Sequence, residues 1–240
     1  MSKKALLIGI NYTGSVSQLN GCINDVLGMS EILRKKGYDV KIFNDNTKEK
    51  PTRHVILREL LELILSGANT LYFHYSGHGS HQKDLEGDEA DGNDECLVPI
   101  DYEQNGMIVD DEIRGILTCL LPTQKLFCVI DACHSGTGCD LKYNYDGSDK
   151  MKDDRHYLPT RGECIMLSGC RDEQTSADAW EQNKYQGALT FSFVTALNEN
   201  VKDYDSLIKS VRNTLSSHKY DQIACLSSGK VLNLKNVFSL

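Results

Sequence analysis

An alternation along the chain limits the fold more than any other feature. Short apolar runs take turns with longer stretches whose apolar residues recur at helical spacing. Runs at 4–10, 38–44, 70–75, 125–131 and 163–168 predict strands. Between and after them, 21–36, 52–65, 110–121, 189–197 and 204–218 predict helices. In the first helix Ile23, Val26, Leu27, Ile32 and Leu33 form a stripe that ends before Gly37; in the second, Val55, Ile56, Leu60, Leu63 and Ile64 do the same work. Segments 95–100 and 107–109 read as short strands or a hairpin, and 222–226 as a last short strand. Strands separated by helices imply an α/β fold with a mostly parallel central sheet flanked by helices on both faces. The 240 residues are expected to form a single domain of two halves, 1–140 and 161–240, joined by a polar, aperiodic loop at 141–160 that is expected to be exposed.

Composition narrows the partners. A net charge of −8, from 26 basic and 34 acidic residues, argues against nucleic acid or an anionic membrane and favours a cationic ligand. No apolar run reaches transmembrane length, and Ala5 to Ile10 is too short for a signal-peptide core, so a cytoplasmic protein is expected. Nine cysteines, an odd number without a C-x-x-C pair, argue against a disulfide framework or a zinc ribbon. Cys119, Cys128, Cys164 and Cys225 read as small buried hydrophobes.

Two segments carry the chemistry. Tyr75-Ser76-Gly77-His78-Gly79 and Asp131-Ala132-Cys133-His134-Ser135-Gly136 each follow a predicted strand, and ligands of parallel sheets bind beyond the carboxyl ends of strands. A thiol needs a base to become a nucleophile, so Cys133 and His78 form a candidate pair, with backbone N–H groups at Gly79 and Cys133 available to a tetrahedral oxyanion. The bland alternative is a core thiol and a loop histidine. His134 points away from its neighbour in an extended chain, and a zinc site of Cys133, His134 and Cys139 lacks a fourth ligand. Seven of the twelve residues from Asp84 to Glu95 are acidic and repel one another unless a cation or basic ligand sits there. The glycine positions do not fit an EF-hand loop, and Asp84, Glu86, Asp88, Glu89 and Asp91 read mostly as a solvated face. Trp180 either lines a subsite or fills a core gap.

The two catalytic segments, some fifty residues apart, resemble those of the metacaspases, caspase-fold cysteine peptidases. The likeness continues through Ala5-Leu6-Leu7-Ile8-Gly9-Ile10-Asn11-Tyr12, Leu19-Asn20-Gly21-Cys22-Ile23-Asn24-Asp25, Ile108-Val109-Asp110-Asp111-Glu112-Ile113, Leu167-Ser168-Gly169-Cys170-Arg171-Asp172, Gln174-Thr175-Ser176-Ala177-Asp178 and Gly187-Ala188-Leu189-Thr190. It implies a caspase-like fold, a Cys133–His78 dyad without a third catalytic side chain, and cleavage after Arg or Lys. The matching P1-pocket positions are Asp25 and Asp131, with Cys22 and Ser76 beside them. Asp131 precedes the nucleophile by two residues, so both point the same way from an extended strand end, and a carboxylate there suits a guanidinium. Left open are a helix-start carboxylate for Asp25 and a strand-end turn former for Asp131.

The same resemblance implies activating Ca²⁺ on Asp94, Asp110, Asp111 and Asp140, hard oxygen ligands from three separated segments. A solvated acidic loop and an acidic helix start remain the alternative for these residues. It also implies protein or peptide substrates with Arg or Lys at P1 and a tendency to be monomeric. Because the first strand begins by residue 4, no N-terminal prodomain is expected; self-cleavage is expected in the basic 141–161 loop, at Lys142, Lys150, Lys152, Arg155 or Arg161. The rival from another class is a catalytically silent, calcium-responsive interaction module on the same fold, against which the presence of both dyad residues counts.

Overall fold

A computed structural model describes residues 2–83, 93–132, 139–145, 151–153, 157–169, 178–181 and 184–240. Strand β1 (Lys3–Gly9) leads into α1 (Cys22–Lys35), β2 (Asp39–Asn44), α2 (Arg53–Leu65) and β3 (Thr70–Ser76). Next come β4 (Gly79–Lys83), β5 (Asn93–Leu97), the single turn α3 (Tyr102–Asn105), β6 (Ile108–Val109), α4 (Asp110–Leu117) and β7 (Lys125–Asp131). The second half holds β8 (Tyr143–Tyr145), β9 (Met151–Asp153), β10 (Glu163–Ser168), β11 (Asp178–Glu181), β12 (Lys184–Gly187), α5 (Ala188–Asn198), α6 (Tyr204–Ser217) and β13 (Cys225–Ser228).

Among the described residues the main sheet runs β2-β1-β3-β7-β10-β13-β8-β9. The first five strands pair in parallel, and the last three add antiparallel. Both faces are covered, which is why the parallel strands read as continuous apolar runs. Leu6, Ile8, Phe73, Leu126 and Cys128 face one core with Val55, Ile56 and Leu60 of α2 and Ile113 and Leu117 of α4. Leu7, Tyr72, Phe127 and Val129 face the other with α1, α5 and α6, where Phe127 stacks on Phe193 at 5.8 Å. Helix boundaries follow local chemistry. Thr52 caps α2 by accepting from Val55 N (3.3 Å), and Gly37, at φ +84°, turns the chain out of α1.

Several expectations need correction. The helix expected over 110–121 ends at Leu117; Thr118 and Cys119 fall in the turn beyond it, so Cys119 is exposed rather than buried. Cys225 is half-buried, while Cys128 and Cys164 are buried as expected. The stretch after Asp140 is not simply an exposed loop. Leu141, Tyr143 and Tyr145 are buried with Lys142 and Asn144 between them, a two-residue alternation that pairs β8 with β13. Flanking charge hides that alternation from a compositional reading. The last strand starts at Cys225, not 222, and β4, β9, α3 and the β11–β12 hairpin were not expected.

One polar chain crosses the second core. His74, fully buried on β3, bonds Tyr72 Oη through Nδ1 (3.2 Å) and Thr190 Oγ1 on α5 through Nε2 (3.1 Å). Burial pushes its pKa down to about 3. An unfolded histidine titrates near 6.5, so below that pH the unfolded chain binds the extra proton and stability falls as pH drops toward the folded value. Between pH 7.5 and 5.5 the wild type is expected to lose about 1.4 kcal/mol more unfolding free energy than His74→Gln, read from urea midpoints. A second prediction concerns the end of β1, where a Cβ on Gly9 would lie 2.5 Å from Cys22 O and 2.6 Å from Val26 Cγ2. Gly9→Ala must push α1 off the sheet, and a loss of about 2 kcal/mol, or roughly 5 °C in Tm, is expected in a thermal melt.

Candidate active site

Register brings the chemistry together. Gly9 pairs with Ser76 and Ser76 with Asp131, so β1, β3 and β7 end at one level. His78 lies two residues past Ser76, and Cys133 two residues past Asp131. Cys133 and His134 themselves fall outside the described residues, as do Asp84, Glu86, Asp88, Glu89 and Asp91.

His78 is held on several sides. Its Nε2 lies 2.7 Å from Ser17 O, and its ring packs on Tyr12 at 4.7 Å and 36°. A carbonyl only accepts, so Nε2 carries the proton, and in the neutral imidazole Nδ1 keeps the lone pair that a base needs. The backbone is pinned as well: His78 N donates to Tyr12 Oη (2.9 Å), and His78 O accepts from Tyr75 Oη (2.9 Å) and Val98 N (3.1 Å). Gly79 follows directly, opposite Leu97 at the start of β4.

Beside these strand ends sit two buried carboxylates. Asp25, in the first turn of α1, accepts from Ser76 Oγ at 2.7 Å and from Gly187 N at 3.0 Å. Asp131 Oδ2 accepts from Thr190 N (2.8 Å) and Thr190 Oγ1 (2.7 Å) in the first turn of α5. Each is 2% exposed. They converge on Gly187, where a Cβ would stand 2.9 Å from Asp25 Oδ2 and collide with Asp131 Oδ2. The structure thus brings Asp25, Asp131 and Ser76 together, with Cys22 buried at the start of the same helix as Asp25. The placements weighed as alternatives are both seen: Asp25 lies in the first turn of α1 and Asp131 ends β7. Gly187 and Thr190 as the donors to this pair were not foreseen as site residues.

A second acidic group lies between β5, α4 and the segment after β7. Carboxylate oxygens of Glu95, Asp110 and Asp140 lie within 4.8 Å of one another, and all three residues are buried. Asp110 Oδ2 accepts from Glu95 N (2.9 Å) and Oδ1 from Asp111 N (3.1 Å). Burial, then the charges of Asp110, Asp94 and Glu95, push the Cys96 thiol up to about 12. Of the four expected ligands, Asp110 and Asp140 belong to this group. Asp94 instead accepts from Gln82 Nε2 at 3.5 Å, and Asp111 contributes its backbone N–H. Glu95 was not foreseen as a member of this group because successive residues of a strand point to opposite sides, and only the fold tells which side faces Asp110. Three buried carboxylates from separate segments fit a divalent cation that prefers oxygen, Ca²⁺ above zinc.

Comparisons with known proteins bear on the family and the fold. A family model described as metacaspase, peptidase C14 domain, matches residues 3–142. Metacaspase-1 of Mycosarcoma maydis is 34% identical, the match covering 98% of this chain and 72% of the relative. Metacaspase-1 of Ajellomyces capsulatus is 36% identical over 96% of this chain and 81% of its own. Among solved structures, protein GSU0716 from Geobacter sulfurreducens aligns with a TM-score of 0.73 at 22% identity, covering 97% of this chain and 95% of that one. Caspase-1 from Spodoptera frugiperda aligns with a TM-score of 0.59 at 16% identity over 94% of this chain and 85% of its own, a likeness of fold. On the sequence matches and the shared fold, this chain belongs to the metacaspase family of caspase-like cysteine peptidases.

Proposed function

We propose that the chain is an endopeptidase that cleaves after Arg or Lys, depends on calcium, and cuts itself within 141–161. Cys133 attacks the scissile carbonyl after giving its proton to His78 Nδ1, and the imidazolium then protonates the leaving amine. N–H groups at Gly79 and Cys133 receive the oxyanion. The observation that carries the P1 assignment is the convergence of Asp25 and Asp131 on Gly187 beside the strand ends that lead to the dyad. Two buried carboxylates facing one space repel each other, and a guanidinium or ammonium relieves that repulsion while a P1 aspartate adds to it. Ca²⁺ bound to Glu95, Asp110 and Asp140 would screen the second acidic group and tie β5, α4 and the segment after Cys133 together. Of the self-cleavage candidates in 141–161, Lys152 and Arg161 are exposed, while Lys150 and Arg155 lie outside the described residues. Lys142, held by Asp153 at 2.8 Å next to paired β8, is the least accessible of those described.

The test is hydrolysis of fluorogenic peptides ending in Arg, Lys, citrulline or Asp, with calcium or chelator, by wild type and Cys133→Ala. Calcium-dependent turnover after Arg and Lys, absent in the variant, is expected. Turnover that ignores the chelator removes the calcium assignment, and silence from folded protein removes the enzyme reading in favour of an interaction module. Asp131→Asn is expected to lower kcat/KM for the Arg peptide on the order of a hundredfold and to narrow the gap to citrulline. Calorimetric titration of Glu95→Gln against wild type reads the metal site without relying on turnover, and weaker calcium binding is expected. If the chain stays intact in calcium while the peptide is cleaved, self-processing is not required.

A further inference from the structure

The loop between β1 and α1 is built around one carboxylate. Asp45, buried just past the end of β2, accepts from Asn11 N through Oδ2 and from Thr13 N through Oδ1, both at 2.8 Å. Those two N–H groups flank Tyr12, whose φ is +51°. A bulky residue adopts that left-handed backbone only where its surroundings hold it there. The rest of the loop closes on itself: Leu19 N donates to Asn11 O (2.8 Å), Ser15 N to Tyr12 O (3.0 Å), and Gly14 N to Gln18 Oε1 (2.8 Å).

What the strained residue gains is contact with His78. The Tyr12 ring lies against the imidazole at 4.7 Å, and its hydroxyl accepts from His78 N while donating to Val98 O at 2.6 Å. The same loop carries Ser17, whose carbonyl meets His78 Nε2 at 2.7 Å. We propose that Asp45 and Tyr12 are positioning residues for the catalytic imidazole, Asp45 clamping the 11–19 loop so that Tyr12 seats the His78 ring and the loop carbonyl fixes its tautomer. The inference rests on the reading of His78 as the base. An ionised aspartate is the one small side chain that accepts from both N–H groups at once; asparagine keeps one acceptor and alanine none. Asp45 touches neither substrate nor the reacting atoms, and its effect passes entirely through the loop.

The experiment measures kcat and KM per folded enzyme in calcium, together with ¹⁵N spectra of the His78 ring, for the full chain. Tyr12→Phe keeps the ring and removes the hydroxyl; it is expected to lower kcat about tenfold with KM within twofold. Asp45→Asn is expected to behave similarly and Asp45→Ala to lose more, with a mixture of ring tautomers where the wild type shows a proton on Nε2 alone. Wild-type kcat in Tyr12→Phe and Asp45→Ala, with an unchanged ring spectrum, overturns the proposal. So does a loss that only tracks a lower Tm while the spectrum stays the same, since that is a structural role. Tyr12→Phe carries the test by itself if the alanine variant does not fold. His78→Ala separates the two levels: full activity there removes the dyad reading and this inference with it, whereas its inactivity beside unaffected Tyr12 and Asp45 variants removes the inference alone.

Discussion

The catalytic end depends on the parallel pairing of β3 with β7. Ser76 stands opposite Asp131, and the chain leaves both strands from that level toward His78 and Cys133. A slip of one residue in either strand would send every side chain to the wrong face. Here neither face is tolerant. Leu126 and Cys128 fill the core under α2 and α4, while Phe127 and Val129 fill the core under α1, α5 and α6. Two apolar cores therefore enforce the register, and the site inherits its alignment from packing that takes no part in the chemistry.

On that frame the fold assembles two buried acidic groups of different character. Around Asp25 and Asp131 it supplies donors: the Ser76 hydroxyl, Gly187 N, Thr190 N and the Thr190 hydroxyl. These donors hold both carboxylates against Gly187, where a Cβ would collide with Asp131 Oδ2. Around Glu95, Asp110 and Asp140 the oxygens crowd within 4.8 Å of one another, a spacing suited to a compact ion. The two groups thus differ in geometry: one is held by donors around Gly187, the other is three carboxylates facing one another.

Much of this was legible in the sequence. Strands at 125–131 and 163–168 have the predicted bounds, because a strand buried on both faces leaves an uninterrupted apolar run. The strand ends that precede His78 and Cys133 were legible too, and the nearness of Asp25 to Asp131 matches what the family pattern implied. What was not legible depends on tertiary pairing. β4, with Ser80, His81, Gln82 and Lys83, has no apolar period and is a strand only because β5 lies beside it. Which of Asp94 and Glu95 faces Asp110 depends on the alternation of a strand whose pairing is tertiary, and Asp45 stands 34 and 32 residues from the two backbone groups it holds. No local pattern marks such a residue.

The two histidines of β3 and its extension show how the same side chain is put to opposite uses. Asp131 can only accept, so the Thr190 hydroxyl donates to it; Thr190 Oγ1 then accepts from His74 Nε2–H, and His74 Nδ1 accepts from Tyr72 Oη. Every proton in that chain is assigned by the carboxylate at its end. His74 is locked in one tautomer, both nitrogens engaged, and burial keeps it neutral at any pH the protein meets in ordinary use. His78 carries its proton on the same nitrogen, set by Ser17 O, but it sits past the strand at the molecular surface instead of in the core. Three residues separate an imidazole buried in a hydrogen-bonded chain from one that is partly exposed beside the strand ends. The difference lies in what the fold places around each ring, not in the rings themselves.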